Sequence, residues 1–115
     1  MSVGRLKRYA ADSGKVYEYY FAGQGPARSA PGATEYLFQA SPDRHTFAAI
    51  QVVLLAESVE EWSRRHGRPL ADPERFAAAK LRLLRAFDEF EAPAEAGVLA
   101  IGPEELEELL APLDL

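Results

Sequence analysis

The stretch "DPERFAAAKLRLLRAFDEF", Asp72 to Phe90, constrains the fold more than any other part of the chain. Asp72 has the short acceptor side chain of an N-cap, and Pro73 suits a first helical position whose N–H needs no partner. Phe76, Ala79, Leu83, Phe87 and Phe90 then recur at helical spacing with Lys80 and Leu84 beside them, which predicts a long amphipathic helix with an aromatic stripe. A stripe of that kind has to be buried against another layer. Arg75, Arg82 and Glu89 lie on the other side and are expected in solvent.

The residues before the helix supply that layer. "GRLKRYAADSGKVYEYYFAG" reads as two strands around Asp12-Ser13-Gly14, with glycine where a left-handed conformation is needed. A three-residue loop sets Arg8 opposite Glu18 and Tyr9 opposite Tyr17, both favourable cross-strand pairs. In that register Arg5, Lys7, Tyr9, Tyr17, Tyr19 and Phe21 share one face, while Leu6, Arg8, Ala10, Val16, Glu18 and Tyr20 share the other. "TEYLFQASPDRHTFAAIQVVLL" reads as a second hairpin turning at Ser41-Pro42-Asp43-Arg44, with Phe38 facing Phe47 and Tyr36 facing Ala49. Its end, "AAIQVVLL", is apolar on both faces and marks the middle of the sheet or a strand running into a helix. Between the hairpins, "GQGPARSAPGA" has the composition of a mobile loop. It fails as a phosphate-binding glycine loop, because Pro26 follows Gly25, Arg28 stands where a third glycine belongs, and a strand follows instead of a helix.

Ser58 and Glu61 have capping-box spacing, so a short helix is expected from Val59 through Trp62 to Gly67. After the long helix come a linker "EAPAEAG", a possible short strand "VLAI", and a last helix in "GPEELEELLAPLDL" with Leu106, Leu109, Leu110 and Leu113 on its apolar side. The fold class is therefore α+β: an antiparallel sheet of about four strands in two hairpins, a long amphipathic helix and shorter ones, in two layers. Residues 1–90 form the core domain, and residues 91–115 are an acidic linker, strand and helix expected to pack on it.

At 115 residues and 48% hydrophobic content, one domain can bury an ordinary core without disulfides or metal. There is no cysteine, which excludes a disulfide framework and a thiol nucleophile and suits a reducing cytoplasm. No stretch approaches the run of about 18 apolar residues that spans a membrane, so no membrane partner is expected. The excess of arginine over lysine suggests a GC-rich bacterial genome.

The net charge of -5 is unevenly spread: +2 over residues 1–55, zero over 56–90, and -7 over 91–115. An acidic chain argues against tight non-specific nucleic-acid binding, but it leaves room for a local basic face. His45 and His66 are the only histidines, and neither stands in a hydrolase, zinc-protease or Walker motif. Adjacent glutamates such as Glu104-Glu105 point about 100° apart on a helix and do not make an acid/base pair. Nothing calls for a cofactor, and catalysis is not expected.

The expected function is a non-enzymatic protein-interaction or self-association module, working through the aromatic sheet face or the acidic C-terminal helix. The alternative is a weak single-stranded nucleic-acid binder, with bases stacking on Tyr9, Tyr17, Tyr19 and Phe21, phosphates on Arg5 and Lys7, and Arg28 as a clamp. An acidic tail docked over Arg5 and Lys7 would compete with nucleic acid and inhibit binding. Both readings need the aromatic face or the C-terminal helix to be free.

Overall fold

The computed structural model describes residues 4–113; the first three residues of the 1–90 segment and the last two of 91–115 lie outside the described residues. The elements run β1 (Lys7–Ala10), β2 (Val16–Pro26), β3 (Thr34–Ser41), β4 (Ala48–Leu54), α1 (Ala56–His66), α2 (Asp72–Glu89), a 3-10 turn (Pro93–Glu95), β5 (Leu99–Ile101) and α3 (Pro103–Leu110). The fold is α+β with one sheet in the order β1-β2-β3-β4-β5. The first four strands are antiparallel neighbours, and β5 adds a fifth strand parallel to β4. The sheet is thus mixed and has five strands where the sequence suggests about four.

The first hairpin has the register its turn chemistry predicts, Arg8 opposite Glu18 and Tyr9 opposite Tyr17. The Ala11 N–H donates to the Lys15 carbonyl, and Gly14 takes φ +93°. The second hairpin does not. Phe38 faces Ile50 and Tyr36 faces Val52, so the turn runs from Pro42 to Phe47 instead of closing over four residues. The physical reason is Asp43, whose Oδ1 accepts from the His45 and Thr46 N–H groups and the Ser41 hydroxyl, while Arg44 takes φ +69°. Phe47 is thereby carried to the face away from the helices, where its ring lies 5.8 Å from that of Tyr20.

The glycine-rich stretch also departs from a loop. β2 continues to Pro26, and Gly23, Gln24, Gly25 and Pro26 pair with Leu37, Tyr36, Glu35 and Thr34 after a bulge between Phe21 and Gly23. The remaining connection folds back on itself, with Ala27 and Ala33 buried against Val53.

All three helices lie on one face. α2 buries Ala78, Ala79, Leu83, Ala86 and Phe87 in a core shared with Tyr17, Tyr19, Tyr36, Phe38, Ile50 and Val52. The N-cap of α2 is Ala71, one residue before Asp72, and the Glu74 carboxylate accepts the Ala71 N–H at 2.8 Å. Arg82, expected in solvent, is only 9% exposed, and Phe90, expected in the stripe, is an exposed residue. α1 begins at Ala56, three residues before the capping-box expectation. Ser58 is not a cap; it is fully buried inside the helix and its Oγ donates to the Ile101 carbonyl at 2.7 Å, tying α1 to β5. Gly67 ends α1 in the left-handed conformation, its N–H on the Ser63 carbonyl.

α3 packs on α1 and α2 with Leu106, Leu109 and Leu110 buried, while Leu113 is exposed. Its glutamates meet cations across the seam: Glu104 faces Arg65, Glu105 faces Arg82 and Arg85, Glu107 faces His66, and Glu108 faces Arg85.

Candidate anion-binding cleft

β1 is an edge strand, and its side chains alternate between the helix side and the outer side of the sheet. Lys7 lies directly opposite Tyr19, so it points toward α2. Arg5, two residues earlier, continues the same row beyond the strand. The chain is held close there by the Gly4 N–H, which donates to the Phe21 carbonyl at 2.9 Å. A Cβ at Gly4 would come within 3.1 Å of the Phe21 Cβ and 3.3 Å of its backbone nitrogen, so glycine permits this approach.

From the other side α2 contributes Phe76 and Lys80, one helical turn apart on the same face. Together these residues line a cleft of about 210 Å³ that includes Arg5, Lys7, Lys80, Tyr19, Phe21 and Phe76. Its wall is aromatic: Phe21 and Phe76 meet edge to face at 5.0 Å, with Phe38 5.7 Å from Phe21. Its charge is entirely positive. No carboxylate lines it, and among the described residues none of the three cations forms a salt bridge. Burial, and then the positive charge of neighbouring Lys7, push the Lys80 ammonium below its ordinary lysine value.

The row expected to form one open platform is divided by α2. Tyr17 and Tyr19 are 2% and 5% exposed, and Phe87 stacks on Tyr17 with ring centroids 4.3 Å apart. A base cannot stack on those rings while α2 is in place. Tyr9 is half-buried beside Phe87, and its hydroxyl donates to Asp88 Oδ2 at 2.6 Å, which raises the phenol to about 12. Arg28 is exposed on the 27–33 connection, outside the cleft. Of the seven residues singled out in the sequence, Arg5, Lys7, Tyr19 and Phe21 come together. Lys80 and Phe76 join them from α2, where a purely helical reading placed both in or beside the packing stripe.

The C-terminal helix is not a free amphipathic segment, since its leucines are buried in the same domain. Nor does it dock over Arg5 and Lys7, because its glutamates are directed to α1 and α2. The autoinhibitory arrangement is therefore not the one this chain adopts.

His45 lies in the β3–β4 turn, and His66 stacks on Trp62 with its Nε2 3.0 Å from Glu107. Neither lines the cleft. Among the described residues no group of three or more His, Asp or Glu side chains is placed to hold a metal ion. A larger cavity of about 370 Å³ lies past the end of α2, among Tyr17, Ala48, Ile50, Phe87 and Pro93. At its rim Asp43 organises the β3–β4 turn, and the Lys15 ammonium donates to the Glu91 carbonyl. No helix among the described residues is long and apolar enough to cross a membrane. No protein-family model matches this chain, and no curated protein or solved structure matches it.

Proposed function

We propose that this chain is a non-catalytic binding domain of the bacterial cytoplasm and that its ligand is anionic, held at the corner where β1, β2 and α2 meet. The observation that carries the reading is the convergence of Arg5, Lys7 and Lys80 on an aromatic cleft with no carboxylate in its lining. Arg65, Arg68, Arg82 and Arg85 have glutamate partners, whereas Arg5, Lys7 and Lys80 have none among the described residues and share one cleft. Like charges held together without a counter-ion favour an anion arriving from outside. This narrows the expected nucleic-acid contact from a row of stacked bases to a phosphate and at most an adjoining ring.

The test is fluorescence anisotropy of a labelled single-stranded oligonucleotide at low and moderate salt, with a Lys7→Met, Lys80→Met variant as control. Salt-sensitive binding that disappears in the folded double variant supports the reading; binding that the variant leaves unchanged places the contact elsewhere.

A protein-interaction or self-association role, the first expectation from the sequence, is supported by a different surface. The face of β2–β4 away from the helices carries the Tyr20 and Phe47 ring pair, half-buried Leu37 and exposed Ala49. Its test is the mass in solution, where a dimer that a Tyr20→Lys substitution converts to monomer would favour this role.

A further inference from the structure

Resting on the corner as the contact surface, we propose that the cleft is a site for a small phosphate monoester carrying an aromatic ring, with the phosphate on Arg5, Lys7 and Lys80 and the ring against Phe21 and Phe76.

Three features select that chemistry. The first is charge. Lys7 and Lys80 stand close enough for the proximity of one to disfavour the ammonium form of the other, and Arg5 adds a third positive charge. A carboxylate or a phosphodiester offers one negative charge to this set, whereas a monoester near neutral pH carries roughly -1.5 to -2. Of these three groups, the monoester comes nearest the charge of the site. Arg5 supplies a planar fork for two phosphate oxygens, and the two ammonium groups act as point charges on the others.

The second feature is size. At about 210 Å³ the cleft is smaller than the roughly 300–1,000 Å³ of a site that swallows a whole small-molecule ligand. It fits a phosphate and the group attached to it. The third is the wall: Phe21 and Phe76 are half-buried, so each leaves ring surface at the cleft instead of losing it all to the core. An aromatic ring on the ligand removes that surface from water and meets the existing edge-to-face pair. The tight contact of Gly4 with Phe21 fixes the rim, so Arg5 approaches the cleft from a held backbone.

The experiment is a titration of the intact protein with phenyl phosphate, followed through the side-chain Cε signals of Lys7, Lys15 and Lys80. The expected result is saturable shifts of Lys7 and Lys80 but not Lys15, at least tenfold weaker binding of benzoate and diphenyl phosphate, and no binding of phenol. Lys7→Met and Lys80→Met should each weaken phenyl phosphate at least tenfold while far-UV dichroism and thermal midpoint stay near wild type, since methionine keeps the packed stem. Equal affinity for benzoate, binding of phenol alone, or an affinity indifferent to both substitutions overturns the proposal. Competition by adenosine 5′-monophosphate against O-phosphotyrosine then separates a nucleotide source from a phosphorylated phenol. Oligonucleotide binding that depends on Lys7 and Lys80 but is not displaced by phenyl phosphate would leave the corner as a binding surface and remove the monoester assignment. Loss of both would remove the two together.

Discussion

Phe87 joins the aromatic strand to the helix layer. It is 1% exposed, stacks on Tyr17, and lies 5.9 Å from the Tyr19 ring and 6.0 Å from Tyr9. Phe87→Ala should lower the stability of the domain by about 3–5 kcal/mol, through lost burial and an incompletely filled cavity, as read by urea unfolding. A loss well under 1 kcal/mol would mean the rings are not packed as described. The spacing of Tyr17, Tyr19 and Phe21 shows that they share a face, and the turn chemistry fixes their partners on β1. What spacing does not show is which helix residue arrives above each ring. Arg82 illustrates the same limit: its position on α2 suggests solvent, yet α3 folds over it and brings Glu105 Oε2 to 3.2 Å from its Nε. That contact is an ion pair without an aligned hydrogen bond, since the buried Nε has no hydrogen-bond partner among the described residues.

At the scale of elements, the helical layer is stitched together by polar contacts that local patterns misassign. Ser58 has the spacing of a cap but holds α1 to β5 through the Ile101 carbonyl. Ser58→Ala should destabilise by about 1–3 kcal/mol, because a buried carbonyl loses its donor, and should raise hydrogen exchange in β5. Arg68 spans the α1–α2 connection, its guanidinium 4.8 Å from the Trp62 ring centre and bidentate on Glu74. The Arg68 guanidinium, and then the Ala71 N–H, hold the Glu74 carboxyl down at about 2, against an ordinary 4.5. Its depressed value makes this contribution to stability full above about pH 4.5 and lost as pH falls toward 2. Glu74→Gln should therefore flatten the acid limb of the stability curve over that window, measured by urea unfolding at stepped pH. α2 was legible because capping, proline and periodicity agree on it. The second hairpin differs by three residues in register from the one its sequence suggests, because a proline-first turn looks complete after four residues until Asp43 recruits two further N–H groups.

On the scale of the whole molecule, the uneven charge of the sequence resolves into two regions. The acidic C-terminal helix is matched to α1 and α2, and its leucines complete their core. Deleting residues 92–115 should therefore unfold or aggregate the protein, by exposing Trp62, Leu83 and the β4 edge, and should not free a binding surface. A folded truncation with gained oligonucleotide binding would contradict that arrangement. Three cations without carboxylate partners among the described residues, Arg5, Lys7 and Lys80, converge at the corner of β1, β2 and α2, and the composition of residues 1–55 hints at this without locating Lys80. Lys80 was visible only as a residue beside the apolar stripe; its part in the cleft depends on where α2 crosses β2. The most direct test is the pH titration of the Lys80 Cε signal in a buffer free of multivalent anions. The account predicts that Lys80 titrates below its ordinary lysine value and moves back toward that value in Lys7→Met; a Lys80 that titrates at the ordinary lysine value and ignores the substitution would contradict the shared cationic cleft.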